Sequence, residues 1–286
     1  MSLEVYLNKH LQPASVKIYH YEIRRYVGHV GAQKAEQAEQ KDILDYVQYL
    51  RQLYDNPNTI RRILHALAHY YHHLIEQGKR QSHPCRYIRL RDAGVKEIQV
   101  QELLSKEELA LLLQREERYE GLALRNKMIM SLLVYQALRL KEIIGITIMD
   151  VNLKEGSLFI KTTTNTDARH LPLKGQQSLW LYQFLNEARP RLLKSETDTL
   201  ILSSRGQGIS AGSIQHLVKT YRPLVPEKRL TPTTVRQSVL AVMLKNGQGL
   251  RQVQAFAGHR KVSATARYKE DGLEALKAAI DKYYPQ

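Results

Sequence analysis

Apolar residues recur at helical spacing along most of the chain, and the interruptions fall at Pro, Gly and Asn. Val16, Tyr19, Ile23 and Tyr26 share one face of a helix that Ser15 is placed to cap, with Lys17, Arg24 and Arg25 elsewhere on it. A second helix is expected around 42–53. The clearest stripe follows Asn56-Pro57-Asn58: Ile60, Ile63, Leu64, Leu67, Tyr71 and Leu74, with Gly78 placed to end it. The charged stretch 79–100, containing Pro84 and Gly94, has little periodicity and reads as an interdomain connection. Ser105-Lys106-Glu107-Glu108 is a capping-box pattern that opens a second domain, and two helical segments run from it to about Gln136. Residues 157–160 and 170–173 flank a polar Thr-Asn-Thr-Asp and read as a short hairpin. From Gln176 onward the pattern is helical again, with breaks expected at Pro190, Gly206-Gln207-Gly208, Pro232, Gly247 and Gly272. Leu273, Leu276, Ala279 and Ile280 predict a short amphipathic helix near the end of the sequence. The fold class is mainly α with one small β-sheet, in two domains: 1–90 helical, 91–102 a linker and 103–286 mixed.

Composition changes this picture in one respect. A chain of 286 residues with 43% hydrophobic and 25% charged residues is an ordinary globular protein, but a net charge of +15 is not ordinary. Such an excess of Lys and Arg favours a polyanionic partner, because these side chains release condensed counterions when they meet phosphates. No apolar run approaches the roughly 20 residues that span a bilayer, and the amino terminus lacks a basic-then-apolar signal pattern. The expected location is cytoplasmic, with no membrane partner. Cys85 is the single cysteine, which excludes an internal disulfide and any cysteine-based zinc site. His65, His69 and His73 recur four apart, a spacing that can chelate zinc from one helix face. No carboxylate or cysteine completes the set nearby, so no metal is expected and the face reads as polar surface turned to DNA or solvent.

The candidate chemistry lies in the second domain. Arg139 stands in Ala137-Leu138-Arg139-Leu140-Lys141-Glu142, Arg236 in Thr231-Pro232-Thr233-Thr234-Val235-Arg236, and Tyr268 follows Gly258-His259 by nine residues. A phosphodiester under attack gathers negative charge on its equatorial oxygens, and two planar guanidinium forks match those oxygens. Pre-aimed donors of this kind are worth roughly 10²–10³ each in rate. A tyrosine hydroxyl ionises near pH 10 (roughly, when unperturbed), so it needs local positive charge or a proton acceptor to attack near neutrality. His259 and the arginines supply that field. Taken singly, each residue also has an ordinary reading: Arg139 as a surface helix residue beside Glu142, His259 as a helix-start residue, Tyr268 as one of 17 tyrosines. Tyr283 and Tyr284 are rival nucleophiles by type but lack the spacing from histidine.

The joint arrangement resembles the tyrosine recombinases, or phage integrase family, over nearly the whole chain. The Arg139 segment resembles its first arginine box, the Arg236 segment its second, and Phe256-Ala257-Gly258-His259 its Leu-Gly-His motif, with Tyr268 at the nucleophile position. The first 90 residues are similar to the helical core-binding, SAM-like domain of the Xer-like branch. The resemblance implies a site-specific recombinase that cuts and rejoins DNA through a 3′-phosphotyrosine, with no metal and no ATP. It implies a C-shaped clamp on double-stranded DNA at a specific target site and a homotetramer assembled on two such sites. The terminal helix would dock on a neighbouring protomer or on its own domain. Lys17, Arg24, Arg25, Arg61 and Arg62 are the expected phosphate contacts of the first domain.

Two departures stand against the family pattern. Thr233 occupies the position usually held by the second-box histidine, and threonine carries no proton at neutral pH. General acid–base help is worth roughly 10²–10⁴ where it operates. The hairpin turn that usually carries a lysine acid has Thr164 there, and Lys161 on the preceding strand is the nearest candidate. Both departures also suit a DNA-binding protein of the same fold with impaired catalysis. A monomeric type IB topoisomerase shares the chemistry, although the Xer-like first domain argues against it.

Overall fold

The computed structural model describes residues 2–92, 102–117 and 120–268, and the chain divides into two units, Met1–Lys96 and Glu97–Gln286. The terminal helix expected from Leu273, Leu276, Ala279 and Ile280, the Gly272 break, and Tyr283 and Tyr284 lie outside the described residues.

The first unit is helical: α1 (Leu3–His10), α2 (Pro13–Val30), α3 (Ala32–Gln37), α4 (Gln40–Leu53) and α5 (Pro57–Glu76). Helix α2 starts two residues before the expected Ser15 cap, because Pro13 at its first turn already has a helical φ and needs no N–H partner. Asn56 caps α5 by accepting from the Asn58 N–H at 3.0 Å, with Pro57 again in the first turn. Gly78 at φ +70 ends α5, and the next N–H, from Lys79, reaches back to Leu74 O. The predicted stripe on α5 is buried in full against Ile23, Tyr26, Ile43, Tyr46 and Leu50. Each such Ile or Leu is worth about 1.5–3 kcal/mol relative to exposure. Tyr26 and Tyr71 join hydroxyls at 2.7 Å in this core, and the Tyr71 hydroxyl donates to Ala35 O. Helices α1 and α3 were not legible from periodicity; each is too short to show a full stripe.

The stretch that begins at Lys79 does not behave as a free connection. Arg80 donates to Glu36 O and Ala38 O, both at 3.0 Å, and lies over the Tyr71 ring. His83 meets Ala68 O, Cys85 is buried, and Ile88 and Leu90 pack on the first core. One arginine that satisfies carbonyls at the end of α3 outweighs the polar composition of the segment. The rest of the expected connection, from residue 93, lies outside the described residues.

The second unit contains α6 (Lys106–Gln114), α7 (Glu120–Tyr135), α8 (Leu140–Gly145), β1 (Val151–Asn152), β2 (Ser157–Ile160), β3 (Arg169–Pro172), α9 (Gly175–Gln183), α10 (Arg189–Leu192), α11 (Ala211–Thr220), α12 (Pro232–Lys245), α13 (Leu250–Ala257) and α14 (Ser263–Ala266). The Ser105 capping box forms as expected, with Ser105 N donating to Glu108 Oε2 at 2.7 Å and Glu108 N to Ser105 Oγ at 3.2 Å. Helix α7 buries Met128, Ile129, Met130, Leu132 and Leu133, apolar on every side as a central helix must be. The strands form an antiparallel sheet in the order β1-β2-β3, pairing Leu158 with Leu171 and Ile160 with Arg169. Leu158, Ile160 and Leu171 face the core.

Three sequence expectations fail here. Pro190 does not break its helix: a π-helical turn over Phe184–Ala188 joins α9 to α10, and Arg189 N bonds to Phe184 O. That wider turn relieves the clash a proline ring makes in a regular helix. The stretch after Leu192 is not helical up to α11. Leu200, Ile201 and Leu202 are fully buried in extended chain, with bridges from Thr199 to Thr147 and from Leu202 to Gly208. A short apolar run of this kind belongs to a buried strand-like segment. The second hairpin strand begins at Arg169, one residue earlier than expected.

Candidate active site

Arg139, Arg236, His259 and Tyr268 come from four different segments, and specific backbone features bring them together. Among the described residues, Ala137 is the one non-glycine with positive φ, at +50. That left-handed turn costs about 1–2 kcal/mol. It sets Arg139 as the residue that caps α8 and leaves the Ala137 carbonyl as an acceptor for Arg236 Nη1. Helix α13 ends in a Schellman motif: Gly258 at φ +67 donates to Ala255 O, and His259 N donates to Gln254 O, each at 3.0 Å. The chain then turns through α14, and Tyr268 N bonds to Thr265 O.

Arg236 is the hub. Its Nη2 donates to Ala257 O at 2.7 Å and meets His259 Nε2 at 3.0 Å, while Nη1 lies 3.7 Å from Glu142 Oε2. His259 Nδ1 sits 2.9 Å from Thr265 Oγ1, inside the fold. The imidazole lies nearly parallel to the Tyr268 ring, with centroids 6.2 Å apart. Tyr268 itself is buried against the second core. Burial, then the positive charges of Arg236, Arg139 and Arg169, push the His259 pKa down to about 4. Burial, then Arg139, lowers that of Arg236 to about 10. Arg139 Nε is buried and finds no hydrogen-bond partner among the described residues. An orphaned buried donor costs about 1–3 kcal/mol.

Beneath this cluster lies a network that sequence reasoning missed. Glu142 is fully buried and receives four hydrogen bonds. Arg169 Nη1 and Thr166 Oγ1 donate to Oε1 at 2.8 Å each; Arg139 N at 2.8 Å and Arg169 Nη2 at 3.2 Å donate to Oε2. Burial alone would raise its pKa, but Arg169, the Arg139 N–H and Thr166 hold it below the usual carboxylate range. Arg169 also donates from Nε to Phe256 O at 2.7 Å, so it links β3 to the turn that carries His259. Only glycine fits at 258: a Cβ there would stand 2.5 Å from Arg169 Nη1. Arg260, next to the histidine, reaches Asp167 Oδ1 at 3.1 Å and Thr163 O at 3.0 Å, fixing the β2–β3 turn.

The two departures sit as follows. Thr233 is exposed in the first turn of α12, one turn before Arg236. Lys161 pairs with Asp150 at 2.8 Å and donates to Thr147 Oγ1 at 3.3 Å, with about half its side chain exposed (53%). Thr164 is exposed at the turn. In the first unit, Lys17 and Arg24 are exposed and Arg61 donates to Asn58 Oδ1 at 2.5 Å. Arg25 and Arg62 both lean on the buried Glu22, at 3.3 and 3.0 Å. The histidines at four-residue spacing have three different surroundings: His65 is exposed, His69 packs on Tyr6 and Tyr19, and His73 is buried against Tyr6. Among the described residues, no helix is long and apolar enough to cross a membrane.

Residues 102–273 match the Phage integrase family, and residues 2–79 match the Phage integrase N-terminal SAM-like domain. The chain therefore belongs to the phage integrase family, whose members are the tyrosine recombinases. Within it the chain stands in the Xer-like branch. It is 29% identical over 232 residues to tyrosine recombinase XerD of Lacticaseibacillus casei, covering 80% of this chain and 78% of that one. It is 28% identical over 235 residues to tyrosine recombinase XerC of Lactobacillus leichmannii, covering 80% and 77%. Among solved structures, the XerH site-specific recombinase bound to a palindromic difH substrate, a post-cleavage complex, shares the fold at TM-score 0.77 and 17% identity, over 93% of this chain and 79% of that one. A lambda integrase tetramer bound to a Holliday junction does so at 0.72 and 14%, over 94% and 75%. The activity of this chain is site-specific DNA recombination by cleavage and rejoining, and the reading as a catalytically impaired binding protein is not favoured.

Proposed function

We propose that Tyr268 is the nucleophile of this recombinase and that Arg139 and Arg236 bind the non-bridging oxygens of the scissile phosphate. The observation that carries this reading is the orphaned Arg139 Nε beside Arg236 and His259. A phosphate oxygen satisfies that donor and adds the negative charge that three clustered arginines favour. Attack by Tyr268 yields a 3′-phosphotyrosine and a free 5′-hydroxyl, and the stored bond energy permits rejoining without ATP. Thr233 donates a hydrogen bond to phosphate. Lys161 is the acid for the departing 5′-oxygen once DNA phosphate draws it from Asp150. Lys17, Arg24, Arg25, Arg61 and Arg62 hold phosphates of one duplex target site, and four copies assemble on two such sites.

A duplex nicked close to the cleavage point traps the intermediate. Wild-type protein forms a covalent adduct, and Tyr268→Phe binds the same DNA without forming one. A cognate site bound without adduct would return the chain to the binding-protein reading. Relaxation of supercoils without a specific site would favour a topoisomerase. Sequencing the trapped DNA identifies the target.

A further inference from the structure

The hydrogen bonds around His259 decide which of its nitrogens carries the proton. A guanidinium has donors and no acceptor, and Arg236 Nη2 faces His259 Nε2 at 3.0 Å. Nε2 therefore accepts, and the single proton of the neutral imidazole lies on Nδ1. The Nδ1–H donates to Thr265 Oγ1, 2.9 Å away and wholly buried. The opposite tautomer would set N–H against N–H at Arg236; the Thr265 hydroxyl can serve either tautomer, so Arg236 makes the choice and Thr265 accepts the proton that results. This matters because Thr233 stands where the family usually places a histidine, so the site lacks that proton acceptor.

We infer that Thr265 and Arg236 together hold His259 as the Nδ1–H tautomer, so that Nε2 is the base that takes the Tyr268 proton during cleavage. The inference rests on the reading of Tyr268 as nucleophile. In the DNA-free protein Nε2 is occupied by Arg236. An entering phosphate offers Nη2 a charged acceptor, stronger than a neutral nitrogen, and Nε2 is released toward the neighbouring tyrosine ring. As Tyr268 Oη bonds to phosphorus, its proton passes to Nε2. The bond from phosphorus to the 5′-oxygen breaks, and that oxygen takes a proton from the Lys161 ammonium, which is left as the neutral amine. Rejoining runs the same steps backwards: the Lys161 amine takes the proton of the attacking 5′-hydroxyl, and the imidazolium returns its own to Tyr268. Thr265 is a positioning residue: it touches no reacting atom.

The groups that face the imidazole are Arg236 from α12, Arg139 and Glu142 from α8 and its cap, Arg169 from β3, and Tyr268. Their charge is net positive, and a bound phosphate offsets it, which makes Nε2 a better base in the complex than in the free protein.

The test uses full-length protein labelled with nitrogen-15 at histidine, and single-turnover cleavage of the nicked duplex. Two-bond proton–nitrogen correlations of wild type and Thr265→Ser are expected to show Nδ1–H at His259, and Thr265→Val a mixture of tautomers. A general base contributes roughly 10²–10⁴, so Thr265→Val is expected to cleave about tenfold or more slowly at unchanged DNA affinity. Its pH–rate inflection should shift, and Thr265→Ser should stay within about threefold of wild type. An Nε2–H signal in the wild-type protein overturns the inference. So does wild-type cleavage by Thr265→Val when its tautomers have shifted. Absence of adduct from the wild-type protein on bound DNA overturns the Tyr268 assignment beneath it.

Discussion

Among the described residues, two glutamates are buried between arginines, one in each unit, and their surroundings differ in completeness. Glu142 accepts four hydrogen bonds that use both carboxylate oxygens, from Arg169, Thr166 and a backbone N–H. Glu22 is nearly as buried, but its Oε2 meets Arg25 Nη2 only as an ion pair at 3.3 Å, and Arg25 Nε lacks a hydrogen-bond partner among the described residues. The Arg169 side chain is 7% exposed, whereas Arg25 and Arg62 are 25% and 40% exposed. A closed network fixes geometry and has no donors to lend. The open one leaves Arg62 at the surface, where a phosphate can take it over, while Arg25 is also held by the Tyr54 hydroxyl and ring. The first suits a frame beneath a reaction centre, and the second suits a binding surface.

The strongest test of the closed network is Glu142→Gln. Removing the charge leaves Arg169 buried without a counter-ion, and breaking a buried pair this way costs about 3–5 kcal/mol. Urea unfolding should show that loss in the second unit, and adduct formation should fall with it. Gly258→Ala attacks the same frame from the other side. The left-handed backbone costs an alanine about 1–2 kcal/mol, and the new Cβ meets Arg169 Nη1 at 2.5 Å. About 2–5 kcal/mol in total is expected from strain and overpacking together. Misplacing His259 by an ångström should cost about 10²-fold in cleavage. Stability near wild type in either variant would show that the network is not closed.

Acid separates the two regions by cause. The His259 pKa is depressed from 6.5 to about 4, so its contribution to stability is full above the unfolded value and is lost as pH falls through about 4. Glu142 is depressed as well and adds to the same loss. In the first unit, burial lowers His69, His73 and His83, with the same sign. His259→Gln should therefore flatten the pH dependence of second-unit stability between about 6.5 and 4 and leave the first unit unchanged. A steeper slope in the variant would reverse the assigned sign.

Sequence alone reached the candidate site residues and not the residues that hold them. The Arg139, Arg236, His259 and Tyr268 segments carry short local patterns, and the stripe on α5 shows its buried face through period alone. Arg169, Thr166 and Thr265 carry no such pattern. Their partners lie on other elements, and nothing near Arg169 in sequence announces a glutamate 27 positions earlier. The same limit applies to Lys79–Leu90: its polar composition reads as a connection until Arg80 meets the carbonyls at the end of α3. Pro190 fails for a related reason, since the π-helical turn that admits it depends on packing along α9 and α10.

The smallest effect concerns the open network and is the most discriminating. Arg62→Ala removes a part-exposed partner of Glu22 while Arg25 remains, so the loss of stability should stay within about 1 kcal/mol. If Arg62 exchanges Glu22 for a DNA phosphate, the variant binds all duplexes more weakly. The slope of log affinity against log salt then decreases by about one in magnitude. Lys17→Ala and Arg24→Ala, at exposed positions, should behave alike, and their slopes should add where the contacts are independent. An unchanged slope for Arg62→Ala together with a stability loss of several kcal/mol would make the Glu22 cluster a second closed frame. The contrast between the two glutamates would then be one of surface exposure alone.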